Sequence, residues 1–389
     1  MVRSVKRGRK VRRPASEMPP RPITDSAAAD PPAGNSEPHF LDLDPLRIVA
    51  IGGGTGLSTV LTGLKHYARG VHNQAPTRHP LVDITAVVTV TDDGGSSGRL
   101  RRDFDILPPG DIRNCMVALS EDEALLSRLF QHRFASGRGL RGHSFGNLFL
   151  TAMNQLTGDF PHAVRLSSEI LAIRGRIFPA TASNVTLSAR LEGGAEVTGE
   201  SKISKSRRPI SRVFLHPNRC KPLPETLEAI AHADLITLGP GSLFTSVIPN
   251  LLVNGIPRAI EASAALKIYF VNLMWQPGET INLSASRHVE AILRHARHKV
   301  IDCVVLNTTP ISKSLRRKYA RQHVAPVEND IDRLHEMGMR VVTAELLGDT
   351  MLVRHNPYST AAVVVSLASR GRALRQRRLL LENLKSKSR

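Results

Sequence analysis

Leu46-Arg47-Ile48-Val49-Ala50-Ile51-Gly52-Gly53-Gly54-Thr55-Gly56 is the stretch on which the fold turns. An apolar run with β-branched residues reads as a buried strand. The glycines end it. Apolar residues then recur at Leu57, Val60, Leu61 and Leu64, the spacing of a helix. Strand, glycine turn and helix together open an α/β unit. Glycines at such a turn let backbone N–H groups approach an anion beside a helix N-terminus.

Working outward, Ile84–Thr91 reads as a second strand. It stops in Thr91-Asp92-Asp93-Gly94-Gly95-Ser96-Ser97-Gly98-Arg99-Leu100-Arg101-Arg102-Asp103. This is a polar, glycine-rich turn of the kind that carries ligands in open α/β sheets. Residues 111–135 and 145–173 read as helical. Val185–Leu191, Gly194–Ser201 and Ile210–Leu215 read as short antiparallel strands. The α/β alternation then resumes, with strands at 234–238, 267–272, 300–306 and 340–345. Helices are expected at 223–232, 285–297, 312–322 and 360–385. The expected architecture is a Rossmann-like, mostly parallel sheet with helices on both faces and a small antiparallel strand insertion. Three segments follow: a disordered basic, Pro-rich tail over 1–45, a nucleotide-binding α/β domain over 46–350, and a helical basic tail over 351–389.

The chain has 389 residues and a formal charge of +19. Residues 1–22 and 370–389 each carry eight Lys/Arg against one Glu, so most of the excess sits at the two ends. With 4% aromatic residues there are few stacking platforms, which argues against nucleic acid as the partner. No apolar run approaches the ~20 residues of a membrane span. Cys115, Cys220 and Cys303 are too few and too scattered for a disulfide framework or a metal knuckle, and a cytoplasmic location is expected.

A nicotinamide site is the obvious guess for the first turn, but the spacing opposes it. G-x-G-x-x-G read from Gly52 meets Leu57 at its third glycine, and read from Gly54 meets Thr59. Asp92 lies 36 residues beyond Gly56, where a ribose-gripping acid is expected after about 20. The residues fit a phosphorylated ligand better. Gly53, Gly54, Thr55 and Gly56 offer backbone donors. Asp92 and Asp93 offer carboxylates, Asp92 for a Mg ion if one is bound, and Arg99 and Arg113 offer guanidinium groups. Asp111 either caps the next helix or joins the site with Arg113 and Asn114. His143 and Asn147, in Gly142–Leu148, either present an imidazole and an amide to a ligand or serve as cap and packing. Gly239, Gly241, Ser242 and Thr245 form a second phosphate-type turn. If the strands are parallel, these turns converge on one sheet edge.

Together the blocks GGGTGLS (52–58), TDDGGSSGRLRRDF (91–104), LPPGDIRNC (107–115), GHSFGNL (142–148), GES (199–201), GPGSLFTSVIPNLLV (239–253) and QPGET (276–280) resemble the CofD/YvcK family over roughly residues 46–350. One branch is a phospholactyl transferase. The other, the YvcK-like branch, comprises gluconeogenesis factors, and the full DDGGSSGRLR and PPGDIRN blocks favour it. The resemblance implies a UDP-sugar-binding regulator, with UDP-N-acetylglucosamine among its ligands, linked to cell shape and wall synthesis on gluconeogenic carbon sources. It implies a protein partner in cell-wall or central-carbon regulation, and it allows a homo-oligomer. It adds Asn250 to the nucleotide site and Tyr269 to the UDP-sugar contact, and gives Asp92 the metal or acceptor position. The alternative is a Mg-dependent transferase using a nucleotide diphosphate donor. The sequence departs from the family at Ile281-Asn282-Leu283 and at Arg287.

Overall fold

Every residue of Leu46–Gly52 except Arg47 is buried, as a central strand with helices on both sides requires. This strand is β1 in a computed structural model that describes residues 44–68, 82–121, 124–206 and 208–387. The disorder expected for 1–45 falls almost wholly outside the described residues. The other strands are β2 Val82–Val88, β3 Arg176–Pro179, β4 Thr186–Leu191, β5 Glu196–Thr198, β6 Ile210–His216, β7 Leu235–Leu238, β8 Leu266–Phe270, β9 Cys303–Asn307 and β10 Arg340–Ala344.

Among the described residues, seven strands form one sheet in the order β10-β9-β8-β7-β1-β2-β3, every neighbouring pair parallel. The chain winds outward from β1 to β3, returns to the far side of β1 at β7, and winds outward again. Right-handed crossovers then place the helices of the two halves on opposite faces. β5, β4 and β6 form a separate antiparallel sheet, the expected insertion.

Four local expectations change. Gly95–Phe104 is a helix, although Gly and Ser are poor helix formers. The approach is local: a β-carbon at Gly98 would lie 1.9 Å from the Asp93 carbonyl oxygen, so the first turn closes only over glycine. The helix expected over 111–135 is interrupted after Leu119 and resumes at Ala124. The strand expected over 194–201 is limited to Glu196–Thr198, and Glu200–Ile203 forms a helical turn. The short strand β3 is additional.

The C-terminal helix, Pro357–Lys387, is not a tail in its first turns. Ala361, Val364 and Ala368 are fully buried. The helix lies so close to the first helix, Gly54–Leu64, that a β-carbon at Gly63 would sit 2.0 Å from the Pro357 carbonyl oxygen. The boundary expected at 350 therefore does not separate it from the α/β body. Further along, Arg372 and Arg375 both bond the buried carboxylate of Asp234, which also accepts the Arg47 N–H at 2.9 Å. Two charges that the sequence assigns to a basic end thus clamp the starts of β1 and β7. The three cysteines are buried thiols. Among the described residues no helix is long and apolar enough to cross a membrane.

Candidate functional site

β1 lies between β2 and β7, where the direction of winding reverses. Such a reversal leaves a crevice outside the strand ends. The glycine turns after β1 and β7 meet there. A β-carbon at Gly56 would lie 2.2 Å from the Pro240 carbonyl oxygen and 2.7 Å from the Gly241 Cα. One at Gly53 would lie 2.4 Å from Thr89 Cγ2 and 2.7 Å from Asp111 Oδ2. Gly54 adopts φ +60°, a conformation glycine takes at no steric cost, and its N–H donates to Asp111. Asn250 pins the two turns: its Nδ2 donates to the Gly52 carbonyl (3.2 Å) and the Ser246 carbonyl (2.8 Å). The turn after β2 joins the same rim, since Asp92 Oδ2 would be 2.9 Å from a β-carbon at Gly110.

This rim is acidic. Asp92 Oδ1 accepts the Gly94 N–H at 2.8 Å, folding its own turn. Asp93 Oδ1 accepts the Ser201 N–H at 2.8 Å, tying the β2 turn to the small sheet. Asp111 is pushed up to about 7 by burial and by the Asp92 charge. Glu200 is driven well above the usual carboxylate range by burial, and then by Asp92, Asp111, Glu279 and Asp93. Mutual repulsion makes this a place for a cation or a shared proton. Still, no group of three His, Cys, Asp or Glu side chains among the described residues is arranged to hold a metal ion.

Beside the acids runs a hydroxyl network. Ser96 Oγ lies 3.0 Å from His143 Nδ1, and Asn147 Nδ2 donates to Ser96 Oγ (3.1 Å) and Ser97 Oγ (3.4 Å). His143 is buried, and desolvation followed by Arg99 holds its pKa below the ordinary value, which keeps the ring neutral. Ser144 caps the helix Phe145–Thr157 and accepts from Arg113 Nη1 at 2.6 Å. Arg113 Nη2 donates to Asn114 Oδ1. Arg99 reaches outward to the Arg141 carbonyl at 2.8 Å.

The second glycine turn is held in place by hydrogen bonds on both sides of Gly241. Gly239 N–H donates to Ile51. Leu243 N–H donates to Gln276 Oε1 (3.3 Å), and Phe244 N–H donates to Glu279 Oε2 (3.1 Å). Thr245 Oγ1 donates to Glu279 Oε1 (3.0 Å), and Ser242 Oγ accepts from Gln276 Nε2 (2.8 Å). The QPGET loop thus braces this turn from behind. Tyr269 is fully buried within β8, paired with Leu238 and Val304, and its hydroxyl has no hydrogen-bond partner among the described residues. Its side chain is part of the core, level with Leu238, the last residue before the second glycine turn.

Glu200 and Ser201 escape a residue-by-residue reading. Their only signal is membership of the GES block, because their contacts span long separations, 108 residues for Asp93 and Ser201.

Residues 48–347 match the family described as 2-phospho-L-lactate transferase CofD. The chain is 46% identical over 322 residues to the gluconeogenesis factor of Bacillus subtilis, covering 82% of this chain and 98% of that protein. It is 46% identical over 320 residues to the gluconeogenesis factor of Halalkalibacterium halodurans, covering 82% and 95%. A crystal structure of a UPF0052 family member from Bacillus halodurans superposes with a TM-score of 0.77 at 46% identity, over 83% of this chain and 99% of that one. By sequence and by fold, the chain belongs to the CofD family.

Proposed function

We propose that the protein is a cytoplasmic regulator that binds a nucleoside diphosphate sugar, with UDP-N-acetylglucosamine the first candidate, in the crevice between β1 and β7. It would act as a gluconeogenesis factor, signalling sugar-nucleotide supply to a protein partner in cell-wall or central-carbon control and so supporting cell shape. The observation that carries this reading is the meeting of the Gly53–Gly56 turn with Pro240 and Gly241, which presents backbone rather than side chain at the rim. The names of the relatives from Bacillus subtilis and Halalkalibacterium halodurans support the physiological part.

Carboxylates beside a diphosphate repel it unless a cation intervenes. Magnesium commonly uses one or two carboxylates and completes its shell with substrate phosphates and water. Asp92 and Asp111 fit that role: they flank the glycine turn, and the proton that Asp111 holds near neutrality is what a cation would displace. The ion would supply charge neutralisation. The chain supplies the rim, the backbone donors and the braced second turn.

Calorimetric titration of the full chain with UDP-N-acetylglucosamine tests the proposal. Saturable binding that weakens roughly tenfold when Mg²⁺ is removed, and likewise in Asp92→Asn, is expected for one lost charge-assisted contact. Absence of saturable binding would refute it. The family match and the raised pKa of Asp111 favour one second reading, a transferase using the same donor. Consumption of the ligand by wild-type protein, abolished in Asp92→Ala, would identify that activity.

A further inference from the structure

A cavity of about 530 Å³ opens between the helices Gly54–Leu64, Gly110–Leu119 and Ala124–Gln131. Its size suits a sugar phosphate rather than a bare ion. Its lining is the electrostatic opposite of the neighbouring rim. Arg113 and Arg133 project onto it together with Thr55, Ser58, Asn114 and Gln131, and no carboxylate lines it among the described residues. At its far end Lys65 Nζ donates to the Ser120 carbonyl at 3.1 Å.

The two guanidinium groups line the same groove. Neither makes an ion pair among the described residues. Arg113 spends Nη1 on Ser144 and Nη2 on Asn114, while its buried Nε has no partner. Arg133 Nη1 donates to the Gly142 carbonyl at 2.7 Å. Two like charges on one groove, one of them half-buried with an orphaned donor, are an unfavourable arrangement that an anion accepting from both relieves.

We propose that this groove is a second ligand site, separate from the acidic rim, that takes the phosphate of a small phosphorylated metabolite. The phosphate oxygens accept from Arg113 and Arg133, and the hydroxyl and amide side chains along the groove meet the remainder of the molecule. Thr55 and Arg113 belong to the turns that form the rim, so occupancy of the groove is placed to change affinity at the rim, and the reverse by linkage.

The test uses the full chain, with inorganic phosphate and glucose 6-phosphate as calorimetric probes. Both should bind saturably, glucose 6-phosphate more tightly. Arg133→Gln and Gln131→Glu should each weaken both roughly tenfold, while UDP-N-acetylglucosamine affinity moves less than about twofold. Gln131 is exposed, so its variant keeps the test valid if Arg133→Gln folds poorly. Absence of saturable phosphate binding, or affinities untouched by both variants, would overturn the proposal. Phosphate binding lost in the groove variants stands whether or not the nucleotide sugar binds, so this result and that of the crevice reading are read separately.

Discussion

Asp234→Ala is expected to lower folding stability by about 3–5 kcal/mol, the range for removing one partner of a buried ion pair. Asp234 is 7% exposed and holds three groups at once: Arg372, Arg375 and the Arg47 N–H. Its loss strands two guanidinium groups of the C-terminal helix and a strand donor at the base of the sheet. Asp234→Asn, which can still accept from Arg47, should cost less. Hydrogen bonds from Arg372 and Arg47 hold the folded carboxyl below the ordinary range despite the opposing effect of burial. With a depressed folded pKa, the contribution is fully present above about pH 4 and is lost as pH falls through the folded value. The variant should therefore lack that part of the acid sensitivity. Urea denaturation at pH 7 and at acid pH reads both effects. A change below about 1 kcal/mol at pH 7 would mean that the basic helix is not clamped to the sheet.

Gly56→Ala should disable the site more than it weakens the fold. Alanine improves helix propensity by about 1 kcal/mol. Against that, its methyl meets the Pro240 carbonyl at 2.2 Å and the Gly241 Cα at 2.7 Å, and both are backbone. Overpacking of this kind costs about 1–3 kcal/mol, so the net loss is small, of order 1 kcal/mol. The relief is a displacement of one glycine turn from the other, and ligand affinity should fall by at least roughly tenfold. Gly63→Ala is the control. Its methyl meets the Pro357 carbonyl at 2.0 Å, between the first and last helices, and it should lower stability without a selective loss of affinity. Equal affinities in wild type and Gly56→Ala would show that the two turns do not share a ligand.

Much of the sheet is legible in the sequence because its strands are apolar on both faces and each ends in Gly, Asn or a polar turn. β1 and its glycine turn are read almost to the residue, and the antiparallel insertion shows in its short, separated runs. β3 is not legible: four residues ending in Pro179 carry no periodic signal, and its place beside β2 comes from the register. The helix Gly95–Phe104 is hidden by its own composition, since Gly95, Ser96, Ser97 and Gly98 read as a turn, and the close approach of Gly98 to the Asp93 carbonyl shows only in the fold.

The site is legible as a set of turns but not as a distribution of charge. That Asp111 faces Gly53 and Asp92, that Glu200 arrives from the helical turn after β5, and that Gln276 and Glu279 bond Leu243, Phe244 and Thr245 all depend on distant pairing. Arg113 is read as a neighbour of Asp111. In the fold it turns toward Ser144 and lines the basic groove.

Difference density from crystals of the full chain grown with UDP-N-acetylglucosamine and Mg²⁺ addresses the central claim most directly. The account expects the diphosphate outside the ends of β1 and β7, over the Gly53–Gly56 turn, with the metal between it and Asp92. Density for the nucleotide sugar at any other surface, with the junction of Gly56 and Pro240 bare, would contradict it.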